Sequence, residues 1–541
     1  MSPDQSERSE SPTGWSRRPV NRLMLLLAAL LWVAPLASIP LIDPDEGRYG
    51  EIPREMLATG DLLTPRLNGT LYFEKPPLHY WLTAGALRLL GETELAVRLW
   101  TSLFGLGTAA VLLALGGLLA GARTARLAAA LLLASPFFFS LAHLATLDMT
   151  LTFFVTVALA GFWKAQGAAD AVGRGLGWGA LFGGAALAVM SKGLVGLVLP
   201  GGVIFCYLLL SGRWRLLREV PWLSGTALFL VLAAPWHVLV ARENPSFVHF
   251  YFVREHFLRY ATPVAERGEP FWFLFAVLAV GLLPWIGLLA LAPRLRGGSG
   301  AGFDVWRRER PELLFLLCWI GFPLLFFSLS QSKLAPYVLP VAPPLALLVA
   351  MALHSREREG GEWRARERLG LAVGAAGSLA VGLAATALAS GLLPSAAPPL
   401  GDAHTFRPLP FAAGLAAAGA GAALLVRASR RHPGALGGAV LSATALLTAA
   451  LWALAAVEAP ARSGRAIAEV LAPRLEPGDR VVCVAGFRQS LAFYLGRLIG
   501  SAAPHQDLAF GVSQLPEEAR RERFPAGDEL KAWWDSERRL Y

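Results

Sequence analysis

The sequence from Asp43 to Trp81 reads DPDEGRYGEIPREMLATGDLLTPRLNGTLYFEKPPLHYW, and it follows directly on a strongly apolar run at 23–42. A run of about 20 apolar residues is long enough to cross a bilayer as a helix. Acidic, basic and aromatic residues are therefore concentrated at the mouth of a predicted membrane span, in a chain of which only 16% is charged. This concentration indicates a functional site rather than a simple connection between two helices.

The composition is that of a polytopic membrane protein. The 541 residues are 55% hydrophobic, and the mean hydropathy is +0.49. The three cysteines lie far apart, which argues against a disulfide framework or a zinc cage. The apolar runs predict about thirteen spans. These lie near 23–42, 97–120, 126–144, 148–165, 176–190, 194–211, 221–241, 271–293, 312–330, 335–353, 369–393, 410–427 and 434–457.

The distribution of basic residues predicts how the spans are oriented. If the N-terminus is cytoplasmic, every gap that faces inward is basic, as in 213–218 and 356–368, whereas the outward gaps carry mixed charge or are short. The net charge of +10 is then mostly an orientation signal, and it does not indicate nucleic-acid binding. The alternation predicts a multi-pass membrane protein with the C-terminal segment outside, in a periplasmic or extracellular compartment. The predicted location is the cell inner membrane.

Three parts follow from this topology. They are a cytoplasmic tail at 1–22, a transmembrane domain at 23–457 with an outer loop at 43–95, and a periplasmic domain at 458–541. The last part contains a β-type run, VVCVAGF at 481–487, and helical spacing of apolar residues at 463–475 and 490–498. No final strand is evident before the chain stops. The predicted fold is thus an all-α polytopic bundle with a small C-terminal α/β domain.

Polar residues from several predicted loops meet on the outer face. Ionisable groups at membrane depth are costly, so they usually mark a substrate path or a paired site. These residues are Asp45, Glu46, Arg48, Tyr49, Glu74, Lys75, Asp148, Lys192, His256, Arg259 and Tyr337. Simpler roles stay open for some of them: Asp45, Glu46 and Asp148 could cap helices, Tyr49 could belong to an interfacial aromatic belt, and His256 could be an interfacial histidine.

The residue types suit one kind of chemistry. Lysine and arginine at headgroup depth can hold a phosphate, and a facing carboxylate can take a proton from an attacking hydroxyl. Together they fit displacement at a sugar carbon that carries a lipid-linked phosphate, which leaves as an anion. The sequence has no Walker loop, HExxH motif or Rossmann fingerprint in a supporting context, so we predict no nucleotide cofactor.

The motifs also resemble a known family, the membrane glycosyltransferases of the GT-C superfamily. Within it, the chain resembles the lipid A aminoarabinose transferases and the related protein mannosyltransferase-like enzymes. The first block, 44–81, carries most of the resemblance. Shorter blocks follow in the family's order: AVRLW (96–100), TLDM (146–149), SKG (191–193), VREHFLRY (253–260) and SKLAPYVLP (332–340).

The resemblance implies a GT-C helical core, two amphipathic helices on the outer surface in the first loop, and transfer of a sugar from polyprenyl phosphate with inversion. The acceptor is a lipid, with lipid A as one candidate, or another glycan or protein. The predicted catalytic residues are Asp45 and Asp148. The predicted substrate-binding residues are Glu46, Arg48, Tyr49, Lys75, Lys192, Arg259 and Tyr337. A divalent ion has a place in some members, for which Glu74 and His256 are the candidate ligands here.

A transporter or flippase for a lipid-linked or anionic substrate is the alternative. A transporter is expected to show polar residues on both faces of the membrane, or interrupted helices repeated in two halves. The predicted polar cluster is one-sided, and no repeat is evident. The sequence therefore favours the transferase.

Overall fold

A computed structural model of the protein describes residues 32–262, 267–296, 303–393, 407–430, 436–484, 486–502, 506–525, 527–535 and 540–541. Within these ranges, nine helices are long and apolar enough to span a membrane, and two bent helix pairs raise the number to eleven. The apolar helix Val195–Ser211 is slightly shorter. The predicted all-α polytopic fold is confirmed. The predicted tail at 1–22 and the first part of the span at 23–42 lie outside the described residues.

The helices follow the predicted spans mostly to within a few residues. The first half contains α1 (Asp45–Thr59), α2 (Leu78–Leu90), α3 (Glu94–Ala120), α4 (Ala122–Ala134), α5 (Pro136–His143), α6 (Leu147–Gly167), α7 (Ala171–Lys192), α8 (Val195–Ser211) and α9 (Trp222–Glu243). A π-helical segment, His249–Leu258, leads into α10 (Arg259–Ala261). The second half contains α11 (Phe273–Gly281), α12 (Phe303–Glu309), α13 (Pro311–Leu329), α14 (Ala342–Glu359), α15 (Ala365–Ala389), α16 (Pro408–Ser429) and α17 (Gly437–Glu458).

Two of the predicted spans are broken where the chain contains a proline. Helices α4 and α5 meet at an angle of 64°, and Pro136 is the first residue after the break. The helix α11 and the 3₁₀ segment Trp285–Pro293 meet at 107°, with Pro284 between them. Proline has no backbone N–H and its ring clashes with the preceding turn, so a helix bends or ends there.

The first loop folds into the two helices that the resemblance implies, with a hairpin between them. Helix α1 has Asp45 and Glu46 in its first turn, where the helix dipole favours acidic residues, and it ends at Gly60 in a left-handed conformation. The hairpin pairs Arg66–Leu67 with Thr70–Leu71 in antiparallel fashion. Helix α2 then begins after a Pro-Pro pair.

The C-terminal segment has a small parallel sheet. The strand Val482–Cys483 pairs with Gly500–Ser501, and Arg480 pairs with Leu540 on the other side. The end of the chain therefore supplies the last strand position, which the sequence did not reveal. The helices around the sheet are α18 (Arg465–Leu471), α19 (Gln489–Leu495), α20 (Gln506–Ser513), α21 (Glu517–Arg523) and α22 (Gly527–Trp534).

This segment packs directly on the first loop. Buried residues of α19 belong to the same apolar cluster as buried residues of α1. The Asp43 carboxylate accepts hydrogen bonds from the backbone N–H and the hydroxyl of Ser490, at 2.7 and 2.6 Å. Asn68 in the hairpin exchanges two hydrogen bonds with the backbone of Ile499. The loop and the C-terminal segment thus form one packed unit above the bundle.

A buried ion pair joins the first loop to the bundle. The Arg98 guanidinium, in α3, binds both carboxylate oxygens of Glu46 at 2.7 and 2.6 Å. It also donates to the backbone carbonyls of Leu36, Ile39 and Pro40. The Glu46 carboxylate accepts two further hydrogen bonds from the backbone N–H groups of Ile42 and Ala145.

These contacts correct one prediction. Glu46 is 2% exposed, and its oxygens are occupied by Arg98 and the backbone. We therefore replace its predicted substrate contact with a structural role, namely fixing the start of α1. The same pair explains why the AVRLW motif carries an arginine within an apolar helix.

We expect Arg98→Ala to destabilise the protein strongly, because it leaves the Glu46 carboxylate buried and unpaired. Removing one partner of a buried pair costs about 3–5 kcal/mol of unfolding free energy. The measurement is unfolding in detergent, with Arg521→Ala as the control, since that residue forms an exposed pair with Glu517 and its loss should cost at most about 1 kcal/mol. Equal effects of the two substitutions would contradict the structural role of Arg98.

Candidate functional site

Several of the predicted substrate-binding residues line one cavity. Its volume is about 360 Å³, and Lys75, Lys192, Arg259 and Tyr337 are all in its wall. They come from the loop after the hairpin, the end of α7, the start of α10 and the 3₁₀ turn Ala335–Val341. The rest of the wall is largely apolar, with Leu194, Val195, Val198, Phe257, Phe326 and Phe327. The cavity therefore combines cationic side chains with an apolar surface.

The Lys75 ammonium and the Arg259 guanidinium share one carboxylate. Glu255 lies 2.7 Å from Arg259 and 3.7 Å from Lys75. Glu74 lies 3.5 Å from the same Nη1 atom of Arg259 that Glu255 contacts. Glu255 is not among the predicted site residues, although it lies four residues before Arg259 in VREHFLRY, a helical spacing that favours an ion pair.

Burial and neighbouring charges shift the pKa values of Glu74, Glu255 and Lys75 in different directions. Burial raises the pKa of Glu74, and the nearby Glu255 raises it further. Burial would also raise the pKa of Glu255, but Lys75 and Arg259 outweigh it and hold that pKa below its ordinary value. Burial lowers the pKa of Lys75, and Arg259 adds to that effect. The two cations thus favour the charged form of Glu255, which lies between them.

A second ion pair lies at the ends of two helices beside the cavity. Asp148, in the first turn of α6, pairs with Lys192 at the end of α7. The Lys192 ammonium also lies 4.7 Å from the centre of the Tyr337 ring. Gly193 has a positive φ of 86°, and a side chain there would collide with the ring of His256. This contact explains the glycine of the SKG motif.

A third cluster of polar side chains surrounds Arg48, and Asp45 is its most exposed member. Its side chain is 57% exposed and lies 3.1 Å from Arg48, whose side chain is only 5% exposed. Arg48 also donates to the hydroxyl of Tyr72 at 3.0 Å and pairs with Asp507, in α20, at 3.1 Å. Asp45 is outside the wall of the cavity described above.

The buried Tyr49 hydroxyl is influenced by charged residues of all three clusters. Burial raises the pKa of the Tyr49 hydroxyl; Arg48 opposes this effect, and the carboxylates of Asp45, Asp148 and Glu74 add to it. The three carboxylates therefore act on one buried hydroxyl. The tyrosine ring stacks on Tyr80 with the ring centres 6.2 Å apart, so it is part of a packed core rather than an aromatic belt.

The predicted metal ligands have other roles. The His256 ring nitrogens lie 2.6 Å from the Tyr251 carbonyl and 3.0 Å from the Leu194 backbone N–H. Burial lowers the pKa of His256 to about 4, so the ring is neutral and both nitrogens are occupied. Glu74 pairs with Arg259. Across the described part of the chain, no group of three His, Cys, Asp or Glu side chains could hold a metal ion. The prediction of Glu74 and His256 as a metal site is not supported.

Known proteins share both the sequence and the fold. The family model for dolichyl-phosphate-mannose-protein mannosyltransferases matches residues 23–251. An undecaprenyl phosphate-alpha-4-amino-4-deoxy-L-arabinose arabinosyl transferase of Sodalis glossinidius is 37% identical over 332 residues, which are 61% of this chain and 58% of that protein. The corresponding protein of Pseudomonas aeruginosa PAO1 is 36% identical over 389 residues, which are 69% of this chain and 65% of that one. The matched region thus spans about three fifths of these relatives.

A solved structure extends the similarity to nearly the whole chain. The crystal structure of ArnT from Cupriavidus metallidurans bound to undecaprenyl phosphate matches with a TM-score of 0.79 and 30% identity, and the match covers 97% of this chain and 92% of that one. The same protein in the apo state matches with a TM-score of 0.76. Sequence and fold agree over almost the full length, and the chain belongs to the ArnT family of GT-C membrane glycosyltransferases.

Proposed function

We propose that this protein moves 4-amino-4-deoxy-L-arabinose from undecaprenyl phosphate to a lipid acceptor, lipid A, with inversion at the anomeric carbon. The observation that carries the proposal is the cavity in which Lys75, Lys192 and Arg259 meet above an apolar wall. Cations suit the phosphate of such a donor, and the apolar side chains suit the first units of its polyprenyl chain. The named activity of the Sodalis glossinidius and Pseudomonas aeruginosa relatives supports the choice of sugar and carrier.

The reaction is a displacement at the anomeric carbon. An acceptor oxygen forms the new bond to that carbon while the bond to the phosphate oxygen breaks, and the electron pair leaves with the phosphate. Negative charge grows on the phosphate, so Lys75 and Arg259 stabilise the transition state more than the bound donor. The phosphate takes over the contacts that Glu255 makes with both cations. Where the acceptor is a hydroxyl, its proton passes to Asp45, the exposed carboxylate beside Arg48.

The site needs no nucleotide in this scheme, since the donor carries its own leaving group. Asp148 holds Lys192 near the cavity, and Tyr337 packs against the same ammonium. The Tyr49 hydroxyl is within electrostatic reach of the carboxylates of Asp45, Asp148 and Glu74. The partners are accordingly a polyprenyl-phosphate sugar donor, a lipid acceptor and the surrounding membrane lipids.

We further propose that the protein lies in the cell inner membrane. Its N-terminus is then in the cytoplasm, and the site faces the periplasm. The alternation of basic loops supports this orientation. A membrane-impermeant thiol reagent should label Glu517→Cys and spare Arg215→Cys in a cysteine-free background, because both side chains are exposed and lie in segments predicted on opposite sides. Labelling of Arg215→Cys alone would reverse the orientation.

We expect Asp45→Asn to lower the transfer rate by about 10²–10⁴-fold when the acceptor is a hydroxyl, the usual cost of losing a general base. The loss should be smaller for an ionised phosphate acceptor, which has no proton to give up. The measurement is release of undecaprenyl phosphate from the purified protein. Glu92→Gln, an exposed carboxylate of the same loop, serves as the control and should be unaffected. Turnover by Asp45→Asn at the rate of the control would remove Asp45 from the mechanism.

We expect Arg259→Lys to impair transfer by about tenfold or more, because lysine keeps the charge but loses the planar pair of donors. Lys75→Ala should raise KM for the donor and also lower kcat, since its charge acts on the leaving phosphate. Arg254→Lys is the matched control, because Arg254 is an exposed residue of the neighbouring π-helical segment. If Arg259→Lys and Arg254→Lys behave alike, Arg259 does not hold the phosphate. If lipid moves across the membrane but no sugar is transferred, the protein is a flippase.

A further inference from the structure

Helix α20 of the C-terminal segment reaches both parts of the site. At its start, Asp507 pairs with Arg48 at 3.1 Å, and both side chains are 5% exposed. Further along, the ring of Phe510 stacks on Phe250 with the ring centres 3.8 Å apart. Phe250 belongs to the π-helical segment that leads to Arg259. The helix therefore contacts the neighbours of Asp45 and of the phosphate clamp, the three cations Lys75, Lys192 and Arg259 that we propose hold the donor phosphate.

The packing of α20 leaves it little freedom to move. A side chain at Gly511 would come within 2.5 Å of the Leu71 carbonyl oxygen and 2.6 Å of Thr70. Phe510 also contacts Phe73, which directly precedes Glu74 and Lys75. Such close packing against the hairpin fixes where the Asp507 carboxylate lies relative to Arg48.

The Arg48 guanidinium is shared between two carboxylates. Its Nη2 atom lies 3.1 Å from Asp45 and 3.1 Å from Asp507, and its Nη1 atom donates to Tyr72. Of the two carboxylates, Asp507 is buried and Asp45 is 57% exposed. The buried pair with Asp507 fixes the guanidinium, and the same Nη2 atom also contacts Asp45. Arg48 therefore orients Asp45 while it is shared with a second carboxylate.

We propose that Asp507 is a positioning residue for sugar transfer, which acts through Arg48 to orient Asp45 towards the acceptor. This inference rests on the proposed function, and it gives the C-terminal segment a part in the reaction. Without the Asp507 charge, the Arg48 guanidinium turns towards Asp45, the other carboxylate beside its Nη2 atom. The exposed carboxylate is then tied into an ion pair when it is needed to face the acceptor.

The test compares Asp507→Asn with Asp507→Glu in the transfer assay. We expect Asp507→Asn to lower kcat about tenfold with KM for the donor within about twofold of its original value, because the donor clamp is untouched. Asp507→Glu keeps the charge and should recover most of kcat. Arg465→Gln is the control: it breaks the pair with Glu94, another contact of the C-terminal segment with the bundle, and should leave kcat unchanged.

A double-mutant cycle separates the inference from a purely structural role. In an Arg48→Gln background, Asp507→Asn should cause no further loss of kcat, because Asp507 acts on Asp45 through the Arg48 guanidinium, which that background lacks. The same cycle, measured by thermal unfolding, should show coupling between Arg48 and Asp507 whether or not sugar is transferred. A folded Asp507→Asn protein with normal kcat, or additive effects in either cycle, would overturn the inference. Absence of transfer by the original protein, with thermal coupling intact, would instead count against the proposed function.

Discussion

The buried pair between Arg98 and Glu46 determines where the whole site can form. A guanidinium in an apolar helix is tolerated only when its donors are satisfied, and here two carboxylate oxygens and three carbonyls satisfy them. The pair fixes the first turn of α1 against the bundle. Asp45 and Arg48 lie in that same turn and the next one, so the position of Asp45, the proposed general base, depends on Arg98.

Above this anchor, the cations of the site are held by carboxylates of the protein itself. Glu255 lies between Lys75 and Arg259, Asp148 pairs with Lys192, and Arg48 is shared by Asp45 and Asp507. Burial of these charges is tolerable because each has an opposite charge nearby. In the proposed reaction, the donor phosphate replaces Glu255 as the negative charge beside Lys75 and Arg259.

The sequence predicted what depends on composition and spacing. The spans agree with the helices because bilayer thickness fixes their length. Lys75, Lys192, Arg259 and Tyr337 come from different segments and line one cavity. The bends at Pro136 and Pro284 were missed, since an apolar run gives no angle. The role of Glu46 was misjudged because its partner lies 52 residues away. Asp507 was missed for the same reason, as only tertiary packing brings it to Arg48.

A crystal structure of the protein with undecaprenyl phosphate would show whether Lys75 and Arg259 hold the donor phosphate. If the clamp is correct, a phosphate oxygen will lie about 2.7–2.9 Å from the Lys75 ammonium and from the Arg259 guanidinium. The Glu255 carboxylate will then have left the position between them, and the first polyprenyl units will contact Val198 and Phe257. A phosphate bound elsewhere, with Glu255 still holding both cations, would contradict the account.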